Sequence, residues 1–304
     1  MQTSMKPTLI AIVGTNASGK SSVGLELARR YGGEIVSADS RQILRGYDLC
    51  SGKVTAEERQ AVPHHLLDIT DAGDYFSLAD YQSHAYAAID DITNRGRMPF
   101  LVGGTGLYVN AVADGYDLVG AGPDEALRER LEAMDAAELV RLLQEKAGEL
   151  PAFLDVNNKR RLVRACEVAL SGRSLAETRV CSPRYDVLKI GVTWERPVLR
   201  QRIDERLSRR LEQGMIDEVE RGLAEGVSYE SFYNLGLEYR FIAQYLNGEF
   251  AGFEEFYEKL HTAICRFAKR QMTWFRRDAS IRWIDMSDDP VARASELIDG
   301  FLAK

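Results

Sequence analysis

Cysteine is scarce in this chain. The four residues Cys50, Cys166, Cys181 and Cys265 are widely spaced and form no C-x-x-C pair. That pattern excludes a zinc knuckle and a disulfide framework, and it suits a reducing compartment, so a cytoplasmic protein is expected. No run of about 18 apolar residues occurs, so no membrane-spanning helix is expected. The start, Met1-Gln-Thr-Ser-Met5-Lys-Pro7, lacks the apolar stretch of a secretory signal. There is no excess of positive charge either: 39 Lys and Arg stand against 46 Asp and Glu, a net charge of −7. A nucleic-acid partner therefore has to be met by local basic patches. No internal repeat and no low-complexity segment is found. His64 and His65 lack a cluster of partners at metal-ligand spacing and read as structural or substrate-edge residues.

What is present is an ordinary globular composition, 45% hydrophobic and 28% charged over 304 residues. That length suggests one large domain or two smaller ones. The most informative stretch is Gly14-Thr15-Asn16-Ala17-Ser18-Gly19-Lys20-Ser21, which fits G-x-x-x-x-G-K-[ST]. The apolar, β-branched run Thr8–Val13 precedes it and reads as a buried strand. Ser22–Arg30 follows with apolar residues at helical spacing. Strand, glycine-rich loop and helix together form a phosphate cradle. Backbone N–H groups and the helix N-terminus face the anion, Lys20 adds a point charge, and the Ser21 hydroxyl is placed to hold Mg²⁺.

The first third alternates strands and helices. Glu34–Ala38 reads as a strand ending at Asp39, Tyr75–Asn94 as a helix, and Met98–Val102 as a buried strand ending at Gly103-Gly-Thr-Gly106. This rhythm predicts a P-loop NTPase-like α/β fold, a parallel sheet with helices on both faces and ligands at the strand carboxyl ends. The texture changes at Val119-Gly-Ala-Gly-Pro123. Helices are then expected over Glu125–Met134, Ala136–Ala147 and Asn158–Ser171. A strand returns at Leu188–Trp194, followed by helical stretches over Arg196–Glu225 and Glu254–Arg276 and a last strand at Ile281–Asp285. The expected organisation is a core over 1–119, a mainly helical insertion over 120–187, and completion of the core with basic helices over 188–304.

Several residues can carry chemistry. Asp39, at a strand end, suits a proton acceptor, and equally a helix N-cap. Gly103-Gly-Thr105-Gly106 suits close ligand approach with Thr105 as donor, and equally a tight turn. Arg202, Arg206 and Arg210 share a helix face at i,i+4 spacing. One of them can neutralise a leaving diphosphate, while a solvated, salt-bridged face is the expectation for most of the five arginines between 200 and 210. Lys159–Arg164 and Arg266–Arg277 are the basic patches; the second interleaves Trp274 and Phe275 with five cations, a mix suited to phosphate contact and base stacking.

Taken together, these motifs resemble the tRNA dimethylallyltransferase (tRNA isopentenyltransferase) family of the bacterial type. The resemblance spans nearly the whole chain. It rests on Gly14–Ser21, Ser37-Ala-Asp-Ser-Arg-Gln42, Pro63-His-His-Leu-Leu-Asp68, Leu101-Val-Gly-Gly-Thr-Gly-Leu-Tyr108, Arg161-Leu-Val-Arg-Ala165, Arg202-Ile-Asp-Glu-Arg206 and Ala268-Lys-Arg-Gln-Met-Thr-Trp-Phe-Arg276. It implies transfer of a dimethylallyl group from dimethylallyl diphosphate to N6 of an adenosine beside the tRNA anticodon, with Mg²⁺. By that resemblance Asp39 is the base, and Thr105 and Arg206 join Lys20 and Ser21 at the diphosphate. The tRNA-contacting set is then Asp39, Ser40, Arg41, Gln42, Thr105, Arg128, Arg160, Arg161, Leu162, Val163, Arg164, Lys269, Arg270 and Gln271. A monomer is expected. The chain departs from the family at Thr15-Asn16, at Asn157-Asn158-Lys159, and at Leu235-Gly-Leu-Glu-Tyr-Arg240, where Glu238 takes the usual glycine position. The alternatives are a prenyltransferase acting on free AMP, ADP or ATP, a P-loop small-molecule kinase, and a non-catalytic RNA-binding protein.

Overall fold

The computed structural model describes residues 6–118, 124–152, 154–172, 174 and 181–304. The expected change of texture at Val119–Pro123 lies outside the described residues. The chain divides into two compact units, one of Met1–Ala113 with Arg184–Lys304 and the other of Asp114–Pro183.

The larger unit is built on six strands: β1 (Thr8–Gly14), β2 (Glu34–Ser37), β3 (His64–His65), β4 (Pro99–Gly103), β5 (Asp186–Thr193) and β6 (Arg282–Asp285). They run in the order β3-β2-β4-β1-β5-β6, and every pairing is parallel. In β1, Leu9, Ala11 and Val13 enter one core while Ile10 and Ile12 enter the other, as the two-residue period of a strand requires. Both faces are covered, so β1 is a continuous apolar run. Helices α4 (Leu78–Asn94) and α5 (Gly106–Ala113) contribute Tyr81, Ala85, Ile89, Val109 and Val112 to the first face. Helices α1 (Lys20–Arg30) and α14 (Pro290–Leu302) contribute Val23, Leu27, Ala294 and Ile298 to the second. A full burial such as that of Leu27 stabilises by about 1.5–3 kcal/mol.

The short helices α2 (Asp48–Ser51) and α3 (Ala56–Ala61) lie between β2 and β3 in the chain. Past β5 come α9 (Arg196–Glu212), α10 (Met215–Ala224), α11 (Tyr229–Leu235), α12 (Leu237–Leu246) and α13 (Phe253–Phe275). They share a third core with Tyr47 and Cys50 that includes Ile203, Leu207, Val219, Phe232, Tyr239, Phe256 and Ile264. The helical stretch expected over Arg196–Glu225 is two helices. Gly214 breaks it with a left-handed φ of 96°, which only glycine adopts at no steric cost. The helix expected from Tyr75 starts at Leu78, because Ser77 and Asp80 form a reciprocal capping box.

The smaller unit holds α6 (Glu125–Ala133), α7 (Ala136–Ala147) and α8 (Lys159–Leu170) around Leu131, Leu139, Leu143, Leu162 and Cys166. Asp124, Asp135 and Asn158 each cap their helix by accepting from a backbone N–H of its first turn. No helix among the described residues is long and apolar enough to cross a membrane.

Candidate active site

The strand order puts β2, β4 and β1 side by side. The loops at their carboxyl ends are therefore neighbours, and they carry Asp39, Gly103–Thr105 and the P-loop.

The P-loop closes through Ser18 N–H to the Thr15 carbonyl at 3.2 Å. Ala17 and Gly19 adopt left-handed φ values of 58° and 90°. A side chain at Gly14 would stand 2.5 Å from Ser18 Oγ. The first turn of α1 receives no side-chain cap, so its N–H groups are available to an anion. Ser18 Oγ is buried without a hydrogen-bond partner among the described residues. Lys20 Nζ donates to the Thr15 carbonyl at 3.2 Å. Burial lowers the Lys20 ammonium to about 8; nearby Asp39 opposes this and nearby Arg206 adds to it.

Asp39 caps no helix. Its Oδ1 accepts from Arg41 N–H at 2.9 Å and closes the turn after β2. That turn is tied to the loop after β4: Ser40 N–H donates to Thr105 Oγ1 at 3.0 Å, and Thr105 N–H donates to the Ala38 carbonyl at 3.1 Å. Gly103 is required for the approach, since a Cβ there would lie 2.1 Å from the Ala38 oxygen. Behind the turn, Tyr81 OH donates to the Ser37 carbonyl at 3.1 Å and its ring stacks on Tyr108 with centroids 3.7 Å apart. Ser37 Oγ donates to Gln42 Oε1, and Gln42 Nε2 donates to the Gly52 carbonyl. Gln42 thus braces the loop. A second strand-end aspartate, Asp285 of β6, turns its carboxylate back onto Ser287.

From α9, Arg206 Nη1 donates to Asn16 Oδ1 at 2.7 Å and Nη2 to the Gly52 carbonyl at 3.2 Å. Arg202 Nε reaches the Ala17 carbonyl at 3.1 Å, and its guanidinium lies over Trp194. Arg210 is buried and pairs with Glu238. The expectation of a mostly solvated arginine face is corrected by these three, while Arg200 and Arg209 remain exposed. Burial lowers Arg206 to about 10, and the adjacent Arg210 acts in the same direction. Among the described residues, neither Lys20 nor Arg206 has a carboxylate in salt-bridge contact. Two desolvated cations beside the uncapped first turn of α1 make a strong anion site.

Gln271 does not face outward as expected. It is 8% exposed, and it accepts from Asn16 N–H at 2.7 Å while donating to the Gly104 carbonyl at 2.9 Å. It locks the P-loop to the loop after β4. The signal was legible, because Gln271 falls on the apolar stripe Ile264, Ala268, Phe275 of α13. Lys269 and Arg270 are exposed, and with Arg266, Thr273, Trp274 and Arg277 they line an open groove of about 480 Å³. Trp274 packs so closely on Gly106 that a Cβ there would stand 2.2 Å from its ring; Phe275 is core.

In the smaller unit, Leu162 and Val163 are 0% and 4% exposed and pack in the helical core, so their side chains are not presented to a ligand. Arg160, Arg161 and Arg164 are exposed on α8. Arg128 Nε and Arg164 Nη1 bond the Glu167 carboxylate at 2.8 and 2.9 Å.

His65 Nε2 meets Glu34 Oε2 at 2.8 Å, and Arg95 also binds Glu34, holding its carboxyl down at about 2. His64 bonds the Val62 carbonyl. These histidines brace the sheet edge.

The family model described as IPP transferase matches residues 42–278. A tRNA dimethylallyltransferase 2 of Shewanella sediminis is 43% identical over 294 residues, covering 95% of this chain and 97% of the relative. A tRNA dimethylallyltransferase of Halalkalibacterium halodurans is 41% identical, with 98% of each chain covered. The crystal structure of the full-length tRNA isopentenylpyrophosphate transferase from Bacillus halodurans superposes with a TM-score of 0.73 at 39% identity, covering 98% of this chain and 96% of that one. A eukaryotic dimethylallyltransferase acting on tRNA gives a TM-score of 0.84 at 22% identity, covering 98% of this chain and 80% of that one, a likeness of fold. With a glycine-rich anion cradle, a strand-end carboxylate facing it, and relatives that match over nearly their full length, the chain belongs to the IPP transferase family.

Proposed function

We propose that the protein transfers the dimethylallyl group of dimethylallyl diphosphate to N6 of an adenosine beside the tRNA anticodon. The observation that carries this reading is that Asp39, after β2, lies within electrostatic reach of two desolvated cations, Lys20 after β1 and Arg206 on α9. The amine attacks the allylic carbon, a C–N bond forms, the C–O bond to diphosphate breaks, and Asp39 takes one N6 proton. The leaving diphosphate stays with Lys20, Arg206, Thr105 and the uncapped N–H groups at the start of α1. Such electrostatic stabilisation is usually the largest catalytic contribution, single donors being worth about 3 kcal/mol. The Ser21 hydroxyl, half-buried in the first turn of α1, suits Mg²⁺, which needs only one or two protein oxygens when a diphosphate supplies others. When bound, the ion adds positive charge at the leaving oxygens.

The acceptor base has to leave the anticodon stack to reach Asp39. Arg41, Arg160, Arg161, Lys269 and Arg270 are proposed as phosphate contacts, with Trp274 at the groove wall as a surface for stacking. The test is transfer of labelled dimethylallyl diphosphate into tRNA with Mg²⁺, beside an AMP control. Label in tRNA alone supports the reading. Label in AMP moves the function to free nucleotides, and ATP hydrolysis without label in either acceptor would sink it.

A further inference from the structure

Arg206 and Arg210 lie one turn apart on α9, yet they are treated differently. Among the described residues Arg206 meets neutral oxygens only, Asn16 Oδ1 and the Gly52 carbonyl. Arg210 meets the Glu238 carboxylate at 3.2 Å, and both side chains are about nine-tenths buried. Like charges at i,i+4 repel, more so where water is excluded. Glu238 compensates the second cation and leaves the first uncompensated.

The same pair holds a piece of backbone. Arg210 Nε and Nη2 donate to the carbonyls of Leu49 and Cys50. From the other side, the Glu218 carboxylate accepts the N–H groups of Leu49 and Cys50, each at 2.8 Å. The segment so gripped leads directly to Gly52, whose φ is 60° and whose carbonyl receives Arg206. A Cβ at Gly52 would stand 2.0 Å from Arg206 Nη2, so the guanidinium rests against this glycine. Arg206 is therefore seated by a backbone that Arg210 and Glu238 hold. Arg206 is lowered by Arg210 and raised by Glu238, which places all three in one electrostatic unit.

We infer that Glu238 is a positioning residue for the diphosphate site: by neutralising Arg210 and fixing Leu49–Gly52 through it, Glu238 sets the Arg206 guanidinium at the P-loop. This rests on Arg206 acting on the diphosphate, as proposed above.

The experiment is titration of the whole protein with inorganic diphosphate in Mg²⁺, alongside KM for dimethylallyl diphosphate and for tRNA. Glu238→Gln weakens diphosphate binding about tenfold, within the range by which residues of one hydrogen-bond network couple. KM for dimethylallyl diphosphate rises with it, and KM for tRNA stays unchanged. Glu238→Asp, which keeps the charge, recovers most of the affinity. Arg210→Lys is the second variant. An ammonium cannot grip two carbonyls and a carboxylate in one plane, so diphosphate binding weakens by a similar factor. A folded Glu238→Gln or Arg210→Lys protein with wild-type diphosphate affinity overturns the inference, as does an equal loss for tRNA and diphosphate. If Lys20→Ala abolishes diphosphate binding while Glu238→Gln leaves it intact, only the inference fails. If the unaltered protein binds no diphosphate, the reading of the P-loop fails and takes the inference with it.

Discussion

The larger unit leaves two of its site cations without a carboxylate partner among the described residues, whereas two arginines of the smaller unit share one. In the smaller unit, Arg128 and Arg164 converge on the Glu167 carboxylate, which is 8% exposed. That arrangement closes a charge balance and serves the fold. In the larger unit, Lys20 and Arg206 are desolvated and, among the described residues, have neutral oxygens alone as partners. A protein that keeps two cations in this condition pays in stability for affinity toward an anion. Arginine looks the same in both sequences; the carboxylate opposite decides which role it has.

The largest effect that sharpens this contrast is at Asp39. Asp39→Ala should lower kcat by about 10²–10⁴, the range for loss of a positioned base, with tRNA affinity retained in a filter-binding assay. Near-normal turnover would remove Asp39 as the proton acceptor.

Lys20→Ala should cost about 10²–10³ in kcat/KM for dimethylallyl diphosphate, as loss of a preorganised donor does. An unchanged value would mean that the loop does not hold the diphosphate.

Glu167→Gln tests the opposite unit. It should lower stability by about 1–2 kcal/mol, discounted because Arg164 is half exposed. Diphosphate binding measured by calorimetry should not change; a parallel loss would break the contrast.

Charge reversal at Arg160 and Arg161 should weaken tRNA binding and reduce the slope of log affinity against log salt by about one per lost phosphate contact. An unaltered slope would take this patch off the RNA.

The smallest effect is in protons. With Lys20 lowered to about 8 by burial, a bound diphosphate favours its charged form and raises it again. Binding near pH 8 should therefore take up a proton, and affinity should weaken as pH rises through 8. Calorimetry in buffers of different ionisation enthalpy reads that uptake, and its absence would mean that Lys20 does not face the anion.

The central strands were legible because they are buried on both sides. A run such as Thr8–Val13 has no polar alternative, and a glycine-rich turn at its end leaves little choice of conformation. The pairing of Ala38 with Gly103 and Thr105 could not be read, since it depends on β2 and β4 being neighbours. Nor could the role of Gln271, which looks like one more polar residue in a basic helix. Its place on an apolar stripe was visible, but its partners, Asn16 and Gly104, are far away in the chain. Glu238 was noted only as a departure from a pattern; its meaning is Arg210.

By itself the sequence determined the local chemistry: the phosphate cradle, the strand-end carboxylate, the helical spacing of the arginines and the family. Those properties are carried by residues near in the chain, where backbone geometry and side-chain type act directly. Only the tertiary structure decided which cations are compensated, which glutamine locks the loop, and which glycine lets two strand ends touch. Each of those depends on burial and on a partner brought from another element, and desolvation has no counterpart in a linear reading.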